Sequence, residues 1–131
     1  MKLLPTILLA IILAGCNSGG TPVQSTIEYK KIPPQEAQNM IETFPSEGLL
    51  ILDVRTQVEF DTGHIKNAVL LPYDEIKEKA PGVIADKNQT ILAYCRTGIR
   101  SAIATKALIE MGYTNVFDIG GIVDWTGEIV R

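Results

Sequence analysis

The chain has 131 residues, enough for one domain. Apolar residues make up 46% and charged residues 21%, which excludes an intrinsically disordered chain. A net charge of −3 argues against a nucleic-acid binder, and one His with two Cys cannot assemble a Cys₄ or Cys₂His₂ zinc site.

At the N-terminus, Lys2 precedes an almost unbroken apolar run from Leu3 to Ala14, interrupted only at Pro5 and Thr6. A membrane-spanning helix needs about 20 apolar residues, so the run is too short to span. It fits the core of a secretory signal peptide. The quartet Leu13-Ala14-Gly15-Cys16 resembles the bacterial lipobox, in which a lipid is attached to the Cys and cleavage falls just before it. Residues 1–15 are therefore read as a lipoprotein signal peptide and Cys16 as the lipidated residue. Asn17 to Thr26 (NSGGTPVQST) is small, polar and Gly-rich, a flexible tether reaching about 15–20 Å as a random coil. This places the folded part, residues 27–131, outside the cytoplasm, anchored by lipid to the cell membrane or outer membrane.

Ile27 to Ile32 reads as a short edge strand. Pro33 and Pro34 open a helix, a position that tolerates proline because the first helical N–H lacks a partner anyway. Ala37, Met40, Ile41 and Phe44 recur at helical spacing. Leu49 to Val54, Ala68 to Leu71 and Thr90 to Tyr94 are short continuous apolar runs of the kind found in buried parallel strands. A helix is expected near Tyr73–Lys79. A second runs from about Arg100 to Met111, with Ile103, Ala104, Ala107, Leu108 and Met111 on one face and Gly112 ending it. Asn115 to Asp118 reads as a last strand, followed by Gly120-Gly121 and a short helix around Ile122–Trp125. Strands alternating with helices imply an α/β fold, a parallel sheet covered on both faces.

Ligands of such sheets bind beyond the carboxyl ends of the strands. Two strands end there in reactive groups, one at Asp53-Val54-Arg55 and one at Cys95. Cys95 follows a strand and precedes a helix, so its sulfur belongs near a helix N-terminus. The loop Arg96 to Arg100 contains no proline, leaving five successive backbone N–H groups to form an anion cradle, with Gly98 permitting the curvature. Arg96 and Arg100 add positive charge, and all of this favours a thiolate. With Cys16 lipidated, Cys95 has no partner for a disulfide.

Three blocks now carry a resemblance. Leu50-Ile51-Leu52-Asp53-Val54-Arg55, with Glu59-Phe60 and Gly63-His64-Ile65-Lys66-Asn67-Ala68, resembles the first signature of the single-domain rhodaneses, a sulfurtransferase family. Tyr94-Cys95-Arg96-Thr97-Gly98-Ile99-Arg100-Ser101 resembles their active-site loop, and Gly120-Gly121-Ile122-Val123-Asp124-Trp125 their closing block. The resemblance implies a five-stranded parallel sheet flanked by helices. It implies that Cys95 takes a sulfane sulfur from thiosulfate or a persulfide and passes it to cyanide, a thiol or a protein acceptor. The loop residues Arg96, Thr97, Gly98, Ile99 and Arg100 would hold the anionic donor, and no cofactor or metal is called for.

Lowering a thiol pKa raises the thiolate fraction but weakens each thiolate, with a Brønsted slope of about 0.4–0.5. Roughly half of the logarithmic gain is thereby lost. The cradle's larger contribution should be to bind the donor in line and to stabilise charge on sulfur. Phosphatases and arsenate reductases with related loops are the nearest rival. The tyrosine phosphatases place five residues between Cys and Arg, whereas four separate Cys95 from Arg100 here, and Ser101 cannot form a phosphate fork. A sulfur carrier without turnover would use the same residues. Asp53, Arg55 and Glu59 are expected to form a network bracing the first signature, with Asp53 or Arg55 a candidate to touch the active-site loop. His64 is expected to make a structural hydrogen bond and Trp125 to pack as a lid or core aromatic.

Overall fold

The computed structural model describes Gly15, Gly20 and residues 26–45 and 48–131. Of the residues expected to form a signal peptide, a lipidation site and a tether, all but Gly15, Gly20 and Thr26 lie outside the described residues. No helix among the described residues is long and apolar enough to cross a membrane.

Five strands form a wholly parallel sheet: β1 (Lys30–Lys31), β2 (Leu49–Asp53), β4 (Val69–Leu70), β5 (Thr90–Cys95) and β6 (Val116–Gly121), in spatial order β1-β6-β5-β2-β4. The central strand β5 is buried at every position, which is why TILAYC reads as an apolar run rather than an alternation. Alternation is still present in space. Ile91, Ala93 and Cys95 face one core, packed by α3 (Ile76–Val83) and α4 (Ile99–Glu110). Leu92 and Tyr94 face the other, packed by α1 (Pro34–Thr43) together with Ile122 and Trp125. The short helix α2 (Gln57–Thr62) starts on a capping box, in which Thr56 and Glu59 satisfy each other's backbone N–H groups.

Several local expectations are corrected. The first strand is only Lys30–Lys31. The helix expected near Tyr73–Lys79 is a 3₁₀ turn, Tyr73–Glu75, followed by α3 as far as Val83, with Pro81 inside its last turn. Ile103 does not join the apolar face of α4; it is half exposed, and Ile99 one turn earlier is largely exposed. The final strand is longer than Asn115–Asp118 and takes in both glycines. It is also not the last, because β3 (His64–Ile65) and β7 (Ile129–Val130) form a small antiparallel ribbon. Two-residue strands bury too little to leave a period in the sequence.

One irregularity shapes the site. Ala93 faces Asp118, whereas Cys95 faces Gly121, so β6 carries one extra residue opposite the end of β5. This β-bulge kinks β6 where the active-site loop leaves the sheet.

The parity of β2 sends Asp53 to the α1 face, opposite Cys95. There Arg55 grips Asp53 through Nε and Nη2, at 3.0 Å to Oδ1 and 2.7 Å to Oδ2, and also donates to the Gly63 carbonyl at 2.7 Å. The Tyr94 hydroxyl donates to Asp53 Oδ2 at 2.6 Å and accepts from the Ile65 amide at 3.1 Å. Burial and the facing Asp53 carboxylate hold the Tyr94 phenol well above its ordinary pKa. The network therefore braces the first signature against the residue before Cys95. Asp53 and Arg55 form the bracing network expected of them, whereas Glu59 does not join it; neither Asp53 nor Arg55 hydrogen-bonds to the loop after Cys95, because their side chains are on the other face of the sheet. Tyr94→Phe leaves a buried amide without its acceptor and is expected to reduce stability by about 1–3 kcal/mol, read from the denaturant midpoint.

Candidate functional site

Cys95 ends the central strand, and α4 begins four residues later. The sulfur sits below the intervening loop. The Gly98 amide donates to Sγ at 3.0 Å, and the Ser101 Oγ lies 3.6 Å from it. Burial pushes the thiol pKa up, but the backbone amides of Ser101, Gly98 and Thr97 work against it and the pKa lies below its ordinary value. Of the five loop amides from Arg96 to Arg100 expected to cradle the sulfur, that of Gly98 donates to it directly. Gly98 has φ 107°, a left-handed conformation that a side chain would strain. Cys95 is only 1% exposed and belongs to the apolar core under α3 and α4, with the Gly98 amide and the Ser101 hydroxyl as the polar neighbours of its sulfur.

The side chains of Arg96, Thr97 and Ile99 are exposed, while the Gly98 amide faces the sulfur. Its backbone rests on β6. The Val123 amide donates to the Arg96 carbonyl at 3.3 Å, and a Cβ on Gly121 would lie 2.3 Å from that same oxygen.

Arg100 differs from expectation. It is not a free clamp for an anion: its guanidinium grips Glu59 with two bonds, Nη1 to Oε1 at 2.6 Å and Nη2 to Oε2 at 2.9 Å. Glu59 is already committed to the capping box, so it ties the α2 N-terminus to the start of α4. Arg100 remains within electrostatic reach of Cys95, and Glu59 first, then Cys95, raises its pKa. The Arg100 guanidinium holds the Glu59 carboxyl down to about 2, against partial burial and with help from the Thr56 amide. A carboxylate depressed from its ordinary 4.5 stabilises the fold above that pH and loses its contribution as pH falls towards 2. Glu59→Gln should thus cost about 2 kcal/mol at neutral pH, with the gap to the parent closing below pH 4.5, as acid-unfolding curves would show.

The sequence reading missed Asp118 altogether and saw Ser101 only as a residue unable to bind phosphate. Ser101 Oγ donates to Asp118 Oδ1 at 2.7 Å, and both residues are fully buried beside Cys95. Asp118 also accepts from the Gly120 amide at 2.9 Å and from the Tyr29 hydroxyl. The parity of β6 was the available signal: a charged residue in a central strand facing the same side as a nucleophile has to be partnered there.

His64 behaves as expected, bonding the Phe60 carbonyl through Nδ1 at 2.9 Å and stacking on the Phe60 ring. Trp125 packs into the α1-side core. No group of three or more His, Cys, Asp or Glu among the described residues could hold a metal ion. A cavity of about 290 Å³ adjoins the loop, lined by Lys31, Pro33, Thr97, Gly120 and Asp124. A larger one of about 420 Å³ opens at the other end of β2, away from the sulfur.

A nucleophile-bearing loop between a parallel strand and a helix, on this strand order, defines a class of protein that comparison with known proteins identifies. The family model described as the rhodanese-like domain matches residues 33–128, and the chain belongs to that family. The thiosulfate sulfurtransferase PspE of Escherichia coli (strain K12) is 38% identical over 73 residues, spanning 56% of this chain and 70% of that protein. A tRNA uridine(34) hydroxylase from Hamiltonella defensa is 32% identical over 95 residues, and the match covers only 27% of its length. Among solved structures, a rhodanese with anions from E. coli superposes with a TM-score of 0.61 at 35% identity, covering 63% of this chain and 98% of that one.

Proposed function

We propose that the protein is a sulfurtransferase that moves sulfane sulfur through a persulfide on Cys95. The observation that carries this reading is the Cys95 sulfur at the end of β5 with the Gly98 amide donating to it at 3.0 Å from the loop that opens α4, a donor that favours the thiolate and is on hand for an additional anionic sulfur. The Cys95 thiolate attacks the outer sulfur of thiosulfate. A bond forms between Sγ and that sulfur, the S–S bond of thiosulfate breaks, and its electron pair leaves with sulfite. A nucleophile such as cyanide or a thiol then attacks the terminal sulfur and restores the thiolate. The loop amides hold the charge at each stage. The family membership and the similarity to a thiosulfate sulfurtransferase support this assignment.

The chain spans about a quarter of the tRNA hydroxylases it resembles, and its net charge of −3 does not favour an RNA substrate. The solvent-facing Ile99 and Ile103, one turn apart at the start of α4, suit a protein-borne thiol as acceptor alongside small molecules. We place the domain outside the cytoplasm on a lipid attached to Cys16; labelling with a radioactive fatty acid, lost in Cys16→Ser, tests that placement.

The direct test is the intact mass of the purified chain after thiosulfate treatment, followed by addition of cyanide. A gain of one sulfur atom, about 32 Da, and its conversion to thiocyanate with repeated turnover are expected. Sulfur uptake without turnover on any small acceptor would make the protein a carrier; no uptake from thiosulfate or a persulfide would remove the assignment.

A further inference from the structure

Behind Cys95, on the side away from solvent, a second polar system runs through the core. Ser101 has one hydroxyl hydrogen and four acceptors in reach of it when the thiol is ionised, including the Gly98 carbonyl at 3.1 Å and the Gly120 carbonyl at 3.5 Å. Asp118 Oδ1 is 2.7 Å away and the Cys95 sulfur 3.6 Å away. The shortest contact, to a carboxylate, takes the hydrogen. Ser101 then presents a lone pair to the sulfur, and the neutral thiol can donate to it. The same hydroxyl either stabilises the thiolate or stabilises the thiol, according to how strongly Asp118 holds its hydrogen.

How strongly Asp118 pulls is set in turn by its other donors. Tyr29 and the Gly120 amide are the remaining two, and among the described residues no Lys or Arg forms an ion pair with Asp118. The charged groups around this system come from three sides. Lys30 lies over the Phe117 ring and Lys31 has its ammonium beside Gly98, both from β1. Lys106 of α4 lies over the Tyr29 ring, while Arg100 and Arg96 flank the loop itself. Burial first, and then the Asp118 carboxylate, raise the Tyr29 phenol far above its ordinary pKa, so the tyrosine stays a donor.

We propose that Asp118 is a positioning residue that acts through Ser101, withholding the serine hydroxyl from the Cys95 sulfur and so keeping the thiolate electron-rich. The purpose follows from the nucleophilicity argument above: each hydrogen bond to a thiolate makes it more abundant but less reactive. The loop amides supply the stabilisation, and Asp118 limits it. This inference rests on the reading of Cys95 as the sulfur-accepting nucleophile, but it concerns the resting thiol and is measured without sulfur transfer.

Two substitutions pull in opposite directions. Asp118→Asn keeps the shape and an acceptor for Ser101 while removing the negative charge. Tyr29→Phe removes one donor from Asp118 and leaves the serine more tightly held. The probe is the ionisation midpoint of Cys95 in the full chain, read from thiolate ultraviolet absorbance and from the pH dependence of iodoacetamide alkylation. The midpoint should fall by about one unit in Asp118→Asn and rise by several tenths of a unit in Tyr29→Phe. Alkylation at high pH, where every form is fully ionised, should be several-fold slower in Asp118→Asn than in the parent. In a Ser101→Ala background the response to Asp118→Asn should shrink to less than half. General loosening of the core would move both variants the same way, and that result, or no movement in Tyr29→Phe, overturns the proposal. Tyr29 is only partly buried, so its variant keeps the test open should Asp118→Asn fail to fold.

Discussion

Cys95→Ser is expected to abolish both sulfur uptake and turnover, by at least about 10³-fold, while leaving the fold intact. Serine keeps the size of the side chain and fits between the same donors. Its hydroxyl, however, does not ionise near neutral pH, and its oxygen cannot hold a sulfane sulfur as a labile link. Nothing else among the described residues can substitute. Cys95 is the one free thiol among the described residues, and His64 is occupied with the Phe60 carbonyl on a different element. The expected readout is an unchanged intact mass after thiosulfate treatment, together with an unchanged denaturant midpoint. A variant that still gains sulfur would move the acceptor elsewhere in the chain and leave the loop over Cys95 without a role.

The second large effect is expected from a single methyl group on the strand facing Cys95. Gly121→Ala places a Cβ 2.3 Å from the Arg96 carbonyl oxygen and 2.7 Å from the Thr97 Cα. Both are backbone atoms of the loop that arches over the sulfur, so neither can rotate out of the way. The loop has to lift from β6, and the Thr97 and Gly98 amides move with it. A displacement of about 1 Å in such a constellation costs on the order of 10²-fold in rate. Turnover should therefore fall by about that factor, and the thiol should lose the stabilisation that lowers its pKa. Measuring rate and thiol ionisation on the same sample distinguishes this from simple unfolding. Normal activity in Gly121→Ala would mean that the loop position is not fixed by its contact with β6.

The sequence makes the sheet and the nucleophile plain because both are local. Leu49 to Val54 and Thr90 to Tyr94 are apolar because both faces of those strands are covered, and Cys95 stands where a strand stops and a helix starts. What it hides depends on which residues meet across the sheet. Arg100 looks like an anion clamp until α2 brings Glu59 against it, 41 positions away along the chain. Asp53 looks like part of the active site until parity sends it to the α1 face with Tyr94. Ser101 and Asp118 gain meaning only from the register that sets Ala93 against Asp118, which no run of residues encodes. Ile103 is apolar yet solvent-facing, so pattern alone assigns it to the core.

The extra residue in β6 has a consequence for how this chain can vary. Side-chain direction along a strand has a period of two, so a change of one position reverses every residue beyond it. Deleting a residue between Asp118 and Gly121 would straighten the strand and swing the second glycine away from the Arg96 carbonyl, while most of the sheet stayed paired. Insertions and deletions at that step are therefore all-or-none, whereas amino-acid replacements nearby act by degrees. The distance along the chain from Asp118 to Gly121 is under tighter constraint than the identity of most residues around it.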